Sequence, residues 1–233
     1  MPFFFLLLRY LFTVMEIKLL DERNSWFLRF MSELRDRDIQ RDPMRFRENL
    51  RRIGQIFAYE ISKEMEYQLQ TVQTPLGEKA MNLPVEDPVV ASILRAGLPL
   101  HEGVLSFFDR AGNAFISAYR KHDETGAFQI KMDYVSCPDL ENRTLILCDP
   151  MLATGSSMAI CYRSLLDYGT PRHTHLVSVI AAAEGIEYLQ KQIPSDNCTL
   201  WIGSVDEELT AQSYIVPGLG DAGDLAFGCK LQN

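Results

Sequence analysis

A short loop between an apolar run and a predicted helix carries the side chains best suited to chemistry, within TLILCDPMLATGSSMAI (144–160). The loop contributes three hydroxyl groups and two small residues. These are Thr154, Ser156 and Ser157, together with Ala153 and Gly155. Small residues let the backbone approach a ligand, and the N–H groups at a helix N-terminus attract an anion. A serine or threonine N-cap would explain one hydroxyl but not three. The pattern predicts a phosphate-binding loop between a strand at 144–149 and a helix at 156–168.

An acid, Asp149, ends the apolar run on the same side as the hydroxyl loop. A carboxylate beside a phosphate is repelled unless it also binds something else, such as sugar hydroxyls or a metal ion through water. An acid followed by a phosphate loop therefore fits a ribose 5-phosphate. A solvated aspartate before Pro150 in a turn is the plainer alternative. The chain has no GxxxxGK[ST] pattern, which argues against a P-loop NTPase.

Apolar strands alternate with helical segments along most of the chain. We predict strands at 88–94, 113–119, 144–149, 174–183 and 198–205. We predict helices at 43–69, 98–109, 156–168 and 184–193, and a long polar loop at 121–142. This alternation is typical of a parallel sheet covered by helices on both faces. Because parallel strands end at one edge, the loops that start at Arg95, Arg120 and Asp149 are expected to converge there.

Composition and charge limit the classes of function. The chain has 233 residues, 47% of them hydrophobic, and a formal net charge of -8. The negative charge disfavours binding to nucleic acid or to an anionic membrane. The five cysteines show no metal-ligand spacing, which favours the reducing cytoplasm. Residues 1–14 are apolar but interrupted by Arg9 and too short to span a bilayer. We interpret them as an extension before a natural start at Met15, with 15–233 as a single domain; a membrane-lying segment is the alternative.

Four separate motifs resemble the uracil phosphoribosyltransferase family. CDPMLATGSS (148–157) is similar to that family's phosphoribosyl-diphosphate signature, usually written DPMLATGGS. ILRAGL (93–98), AYR (118–120) and the C-terminal YIVPGLGDAGDLAFG (214–228) resemble the family as well. The resemblance implies an α/β, Rossmann-like type I phosphoribosyltransferase core, with a parallel sheet flanked by helices and an N-terminal helical segment. It also implies a cytoplasmic enzyme that works as a homodimer or a larger homo-oligomer.

The resemblance further implies an activity and a set of site residues. Family members transfer the 5-phosphoribosyl group of PRPP to N1 of uracil, giving UMP and diphosphate. Mg²⁺ is expected as the cofactor, bound through PRPP and not by a direct protein ligand. The catalytic residues carried over are Arg95, Arg120 and Asp221, all three also in contact with PRPP. The remaining PRPP-binding residues carried over are Asp149, Pro150, Met151, Leu152, Ala153, Thr154, Gly155, Ser156 and Ser157. The uracil-binding residues carried over are Ile215, Gly220, Asp221 and Ala222.

The chain departs from the family pattern at several positions. Ser156 replaces the second glycine of TGGS, Leu225 stands where a basic residue is usual, and Cys229 stands where threonine is usual. The loop 121–142 lacks the usual proline-tyrosine-lysine pattern, which leaves lid behaviour open. Two alternatives therefore stand beside the salvage enzyme: a non-catalytic regulator that senses PRPP or nucleotides, and a phosphoribosyltransferase for another base. Some family members respond to GTP, and the sequence leaves open whether GTP is an effector of this chain.

Overall fold

The computed structural model describes residues 15–122, 128–194 and 196–230, with the backbone alone for 118–132. The interpretation of residues 1–14 as an extension therefore lies outside the described residues. No helix in the described ranges is both long enough and apolar enough to cross a membrane.

The described strands fall into one large sheet and two small ones. In chain order they are β1 (Glu16–Leu19), β2 (Tyr67–Thr74), β3 (Gly77–Pro84), β4 (Val89–Leu94), β5 (Gly112–His122), β6 (Phe128–Ser136), β7 (Thr144–Cys148), β8 (Met151–Leu152), β9 (His173–Ala182), β10 (Cys198–Asp206), β11 (Glu208–Leu209) and β12 (Ile215–Val216). The large sheet has the order β1-β10-β9-β7-β4-β5-β6, with β8 paired to β9. Every pairing in it is parallel except that of β6 with β5. The predicted α/β class with a mostly parallel sheet is confirmed.

Six α-helices cover the sheet in the described part of the chain. They are α1 (Trp26–Arg35), α2 (Pro43–Ser62), α3 (Leu98–Leu105), α4 (Ser156–Leu165), α5 (Ala183–Gln192) and α6 (Ala222–Phe227). Side chains of α1, α2, α3 and α6 form one buried cluster, and those of α4 and α5 form another. Because both faces are covered, the central strands are mostly apolar, with a few buried polar residues such as Ser92 and Ser178, and all of β7 is buried.

Helix α2 shows how the sequence sets an element that supports the site. Its N-cap Asp42 accepts hydrogen bonds from the N–H groups of Met44 and Arg45, and Pro43 occupies the first turn. The predicted apolar stripe at Phe46, Leu50, Ile53, Phe57 and Ile61 is fully buried or nearly so. This stripe fixes α2 against the sheet, and α1 and α6 pack against it in turn.

Several predicted boundaries are wrong. Helix 43–69 ends at Ser62, because the chain then enters the hairpin β2–β3, whose side chains are mostly exposed. The loop predicted at 121–142 instead contains β6, which extends the sheet edge beside β5. Strand β5 continues to His122, so Arg120 lies within a strand and not in a loop after one. Helix 98–109 ends at Leu105, and the last residues of helix 156–168 form a 3₁₀ turn.

A buried carboxylate, Glu33, joins α1 to α2. It accepts hydrogen bonds from Arg45 Nε at 2.7 Å, Arg45 Nη2 at 3.0 Å and Asn49 Nδ2 at 2.8 Å. Arg29 Nε lies 3.0 Å from Glu33 Oε1. The hydrogen bonds from Arg45 and then from Asn49 lower the pKa of Glu33 from 4.5 to about 2. The folded protein therefore holds this carboxylate in its charged form.

We expect this network to make stability depend on pH. The folded pKa lies below the unfolded one, so the contribution is fully present above pH 4.5 and is lost as the pH falls toward 2. The Glu33→Gln variant should have a Tm lower by about 2–8 °C at pH 7, since it removes charge-assisted hydrogen bonds. The difference from wild type should narrow below pH 4.5 in thermal scans followed by circular dichroism. A Tm difference that stays constant between pH 6 and pH 3 would contradict this.

Candidate functional site

Two site loops meet because β4 and β7 are neighbours in the sheet. The two strands are parallel, with Ser92 opposite Cys148. A Cβ on Gly97 would lie only 2.7 Å from the Cys148 carbonyl oxygen, so the turn after β4 rests directly on the end of β7. The predicted convergence of the loops that start at Arg95 and Asp149 is therefore found in the structure.

The hydroxyl loop forms the turn from β8 into α4. Gly155 is the N-cap of α4, in the left-handed region with φ of 78°. Only glycine adopts this conformation without strain. Ser156 does not share it, so its replacement of glycine introduces no backbone strain. Thr154 Oγ1 lies 2.7 Å from Ser156 Oγ, and the Ser156 N–H reaches Thr154 Oγ1 only at 3.5 Å. The hydroxyls therefore line the start of the helix without serving as its N-cap.

The same loop is fixed from behind by α5. A Cβ on Gly155 would lie 2.7 Å from the Gly185 carbonyl oxygen, and one on Gly185 would lie 2.2 Å from the Ala153 carbonyl oxygen. Leu152 and Gly155 are buried, whereas Thr154, Ser156 and Ser157 are partly exposed. Helix α5 thus holds the backbone of the hydroxyl loop on one side. On the other side, the hydroxyls and the helix N–H groups remain accessible to an anion.

Arg95 reaches from the turn after β4 to the C-terminal segment. Its Nη2 donates to Asp224 Oδ1 at 3.2 Å and to the Gly228 carbonyl oxygen at 3.1 Å. The side chain is 44% exposed, so it can also contact a ligand. The Leu94–Arg95 peptide bond is cis.

Asp221 lies beside Arg95, at the start of α6. One of its oxygens, Oδ1, accepts a hydrogen bond from the Asp224 N–H at 3.0 Å and caps this helix. The other, Oδ2, is 3.5 Å from Lys230 Nζ. A Cβ on Gly223 would lie 3.2 Å from Asp221 Oδ1 and 4.0 Å from Arg95 Nη2. The side chains of Asp221 and Arg95 therefore both lie close to Gly223. The structure therefore brings these two predicted catalytic residues together.

The segment predicted to bind uracil combines buried anchors with an exposed turn. Ile215 and Ala222 are buried, whereas Gly220 is exposed and has φ of 89°. A cavity of about 550 Å³ lies beside residues 217–221 and is also lined by Arg35 and Leu225. Leu225, one of the departures from the family pattern, thus contributes an apolar wall to that cavity.

Two predicted features, the Arg120 side chain and part of the predicted lid, lie outside the residues whose side chains the structure describes. The backbone of Arg120 pairs with Ile130 in β5 and β6, but its side chain lies outside the described residues. Part of the predicted lid region, 123–127, also lies outside them. The assignment of Arg120 to the diphosphate stays a prediction.

Two of the histidines whose side chains the structure describes are buried, and their pKa values are lowered. Burial lowers the pKa of His175 to about 3, and its Nδ1 accepts a hydrogen bond from Trp201 Nε1 at 3.0 Å. Burial also lowers the pKa of His101, whose ring packs 5.1 Å from that of Phe115. In the described ranges, no group of three or more His, Cys, Asp or Glu residues is arranged to hold a metal ion.

Sequence reasoning missed one ion pair beside the site. Arg35, the last residue of α1, binds both carboxylate oxygens of Asp206, the last residue of β10, at 2.8 Å. Asp206 directly follows the predicted strand 198–205, and Asp149 ends the predicted strand 144–149. An acid at the end of a strand was therefore the signal available in the sequence. The arginine partner is 171 residues away and had no such signal.

The arrangement can hold a small molecule with an anionic group at each end. Helix N–H groups and hydroxyls of residues 154–157 suit one phosphate. The Arg95 guanidinium, at the adjacent loop, suits a second. The carboxylates of Asp149 and Asp221 lie at the same edge of the sheet and can accept hydrogen bonds from sugar hydroxyls.

Comparisons with known proteins find similar proteins over most of the chain. A family model described as uracil phosphoribosyltransferase matches residues 24–229. The chain is 50% identical over 217 residues to a uracil phosphoribosyltransferase of Porphyromonas gingivalis, covering 93% of this chain and 100% of the relative. A relative of the same name from Pyrococcus furiosus is 37% identical over 211 residues, covering 89% of this chain and 88% of the relative. A solved structure of an Aquifex aeolicus protein matches with a TM-score of 0.81 at 29% identity, covering 93% of this chain and 100% of that one.

We expect the close contact between α5 and the hydroxyl loop to be required for phosphate binding. In Gly185→Ala, the new Cβ must displace the Ala153 carbonyl and move the loop. The affinity for ribose 5-phosphate should fall at least about tenfold, because one lost charge-assisted hydrogen bond costs that much. Isothermal titration calorimetry measures this. Glu187→Ala, an exposed change on the same helix, is the control and should bind normally. Equal affinity in Gly185→Ala and wild type would contradict the assignment of the loop.

Proposed function

The chain belongs to the uracil phosphoribosyltransferase family, and we propose that it transfers the 5-phosphoribosyl group of PRPP to N1 of uracil, giving UMP and diphosphate. The observation that carries this proposal is the meeting of three segments at one edge of the sheet. They are the turn at Arg95, the loop 149–157 and the C-terminal segment around Asp221.

The loop 149–157 is assigned to the ribose and its 5-phosphate. The N–H groups at the start of α4 and the hydroxyls of Thr154, Ser156 and Ser157 form hydrogen bonds to the phosphate oxygens. Asp149, at the strand end, accepts hydrogen bonds from the ribose hydroxyls. Because α5 fixes the loop from behind, these donors are placed before the substrate arrives, which lowers the entropic cost of binding.

Arg95 is assigned to the departing diphosphate. The reaction breaks a C–O bond at the anomeric carbon, so negative charge grows on the leaving group and positive charge on the sugar. A guanidinium placed in advance stabilises the growing negative charge more in the transition state than in the ground state. The contact of Arg95 with Asp224 and Gly228 holds the side chain at this edge before PRPP binds. Arg120 is assigned the same role on the strength of the family resemblance.

Mg²⁺ is proposed to accompany the diphosphate. Mg²⁺ prefers oxygen ligands and is usually held by substrate phosphates with one or two carboxylates. The carboxylates of Asp149 and Asp221 at this edge would reach such an ion through water, while the phosphate oxygens of PRPP would supply its direct ligands. When bound, Mg²⁺ would neutralise part of the charge of the leaving group. Asp221, beside Arg95, is assigned a contact with the phosphoribosyl donor and the role of accepting the N1 proton of uracil.

The backbone of residues 215–222 is assigned to uracil. A pyrimidine edge offers alternating acceptors and donors, which main-chain N–H and C=O groups can match. Ile215 and Ala222 anchor the segment in the core, and Gly220 presents its peptide groups to the outside. Such recognition favours uracil over the larger purines, which is why a phosphoribosyltransferase for another base is the weaker alternative.

The working unit is proposed to be a homodimer or a larger homo-oligomer in the cytoplasm. The hairpin β2–β3 is exposed along most of its length and displays Leu69, Leu76 and Met81. A lone two-stranded hairpin is marginally stable in water, so contact with a second copy would stabilise it. The five unpaired cysteines suit a reducing compartment. A single domain over 15–233 is supported by helices packed on both faces of one sheet. The question of a GTP response stays open.

An assay of UMP formation from labelled uracil distinguishes an enzyme from a non-catalytic regulator that senses PRPP or nucleotides. Incubation with PRPP, Mg²⁺ and labelled uracil should give UMP well above a buffer control, because donor and base sites meet at one edge. In Arg95→Ala, kcat/KM should fall at least about 10²-fold, by analogy with the loss of one preorganised donor. Arg110→Ala removes an exposed arginine away from the site and should keep full activity.

Two results would contradict the proposal in different ways. PRPP binding by calorimetry without any UMP would favour the non-catalytic regulator. Full activity in Arg95→Ala would leave the reaction standing but remove Arg95 from the diphosphate site.

A further inference from the structure

We propose that Arg35 and Asp206 are positioning residues that set the geometry of the base-binding segment and thereby the affinity for the pyrimidine. The proposal rests on the proposed function, because that function assigns residues 215–222 to uracil. It adds two residues that lie outside the family motifs found in the sequence. We call Arg35, Asp206 and Gly218 together the clamp.

The ion pair of the clamp is bidentate and mostly buried. Arg35 Nη1 donates to Asp206 Oδ2 and Nη2 donates to Oδ1, both at 2.8 Å. The side chain of Asp206 is 7% exposed and that of Arg35 is 23% exposed. Arg35 Nη2 also donates to Ser204 Oγ at 3.3 Å. Fork-to-fork pairing of this kind fixes the orientation of both groups, which a lysine could not do.

The same pair binds both main-chain polar groups of Gly218. Arg35 Nη1 donates to the Gly218 carbonyl oxygen at 3.1 Å, and the Gly218 N–H donates to Asp206 Oδ2 at 3.0 Å. Gly218 has φ of 59°, and a Cβ there would lie 2.0 Å from the Ile215 carbonyl oxygen. The peptide groups at Gly218 are therefore held by charged partners in a conformation that only glycine adopts readily.

The clamp lies next to the peptide groups that would read the base. Gly218 is buried, and the exposed Gly220 and the partly exposed Asp221 follow it within three residues. Arg35 lines the cavity of about 550 Å³ that borders the same segment. Since a pyrimidine edge is matched by main-chain groups here, a small shift of the segment would misalign the hydrogen bonds to uracil. The 5-phosphate loop at 154–157 belongs to a different part of the chain, so PRPP should be less affected.

A stabilising role alone does not account for this arrangement. A buried ion pair often contributes little net stability compared with apolar residues of similar size, because both charges lose their hydration. Beyond the ion pair itself, Arg35 and Asp206 form three charge-assisted hydrogen bonds. Two of them bind the turn at Gly218, and the third binds Ser204 near the end of β10. Substitution of a residue that positions the base-binding segment should change the affinity for one substrate selectively. Substitution of a residue that only stabilises the fold should lower Tm without favouring either substrate.

Two conservative variants test the clamp. Arg35→Lys keeps the charge but loses the fork, and Asp206→Asn keeps the shape but loses one of the two acceptor oxygens. We expect each to raise the KM for uracil at least about tenfold, with the KM for PRPP changed less than about twofold. Steady-state assays of UMP formation, with each substrate varied in turn, measure both constants.

Glu33→Gln is the matched control. Glu33 lies on the same helix and forms an equally short, buried, bidentate pair with Arg45, but it does not contact the base-binding segment. It should lower Tm and leave both KM values near those of wild type. If Asp206→Asn does not fold, as judged by circular dichroism, Arg35→Lys carries the test.

The outcomes separate this proposal from the proposed function. If the wild type forms UMP but the clamp variants change both KM values equally, the clamp proposal is wrong and the proposed enzyme activity stands. The same holds if Arg35→Lys leaves the KM for uracil unchanged. A Glu33→Gln variant with the same selective rise in the KM for uracil also overturns the clamp. A wild-type protein that forms no UMP overturns the proposed function, and the clamp with it.

Discussion

Parallel pairing of β4 with β7 is the constraint on which the site depends. It brings the turn at Arg95 and the loop that starts at Asp149 to the same edge of the sheet. The close approach of Gly97 to the Cys148 carbonyl leaves no room for a side chain between them. A guanidinium and a helix N-terminus, far apart in the sequence, thus border one region, and two anionic groups of one ligand can be bound together.

The C-terminal segment completes the site through contacts that the short helix α6 could not provide alone. A helix of six residues is not stable by itself in water. Arg95 binds Asp224, and Arg47 Nη1 donates to the Ala226 carbonyl oxygen at 2.6 Å. Arg35 and Asp206 hold the turn at Gly218. Arginines from α1, α2 and the turn after β4 therefore fix a segment that contributes Asp221 and the peptide groups next to it.

Much of the sheet and of the donor site could be predicted from the sequence, for physical reasons. Buried parallel strands are mostly apolar, so β4, β7, β9 and β10 were recognisable. Loops after such strands meet at one edge, which placed Arg95 and Asp149 together. The hydroxyl cluster at 154–157 was also visible, because its residues are adjacent in the chain.

Other features could not be predicted because they depend on contacts distant in the sequence. The Arg35–Asp206 pair joins elements 171 residues apart, and neither residue lies in a recognisable motif. The hairpin β2–β3 is mostly exposed on both faces, and only a short alternation at Tyr67 and Leu69 marks it. The helix before it was therefore predicted too long. Helix α1 did have a signal, since Phe27, Met31 and Leu34 are buried at helical spacing, but it was not predicted.

A crystal structure of the protein with PRPP and Mg²⁺ tests the central claim most directly. We expect one PRPP molecule, with its 5-phosphate at the N–H groups and hydroxyls of residues 154–157 and its diphosphate against Arg95. A PRPP molecule whose phosphate lies at 154–157 while its diphosphate points away from Arg95 and Asp221 would contradict it.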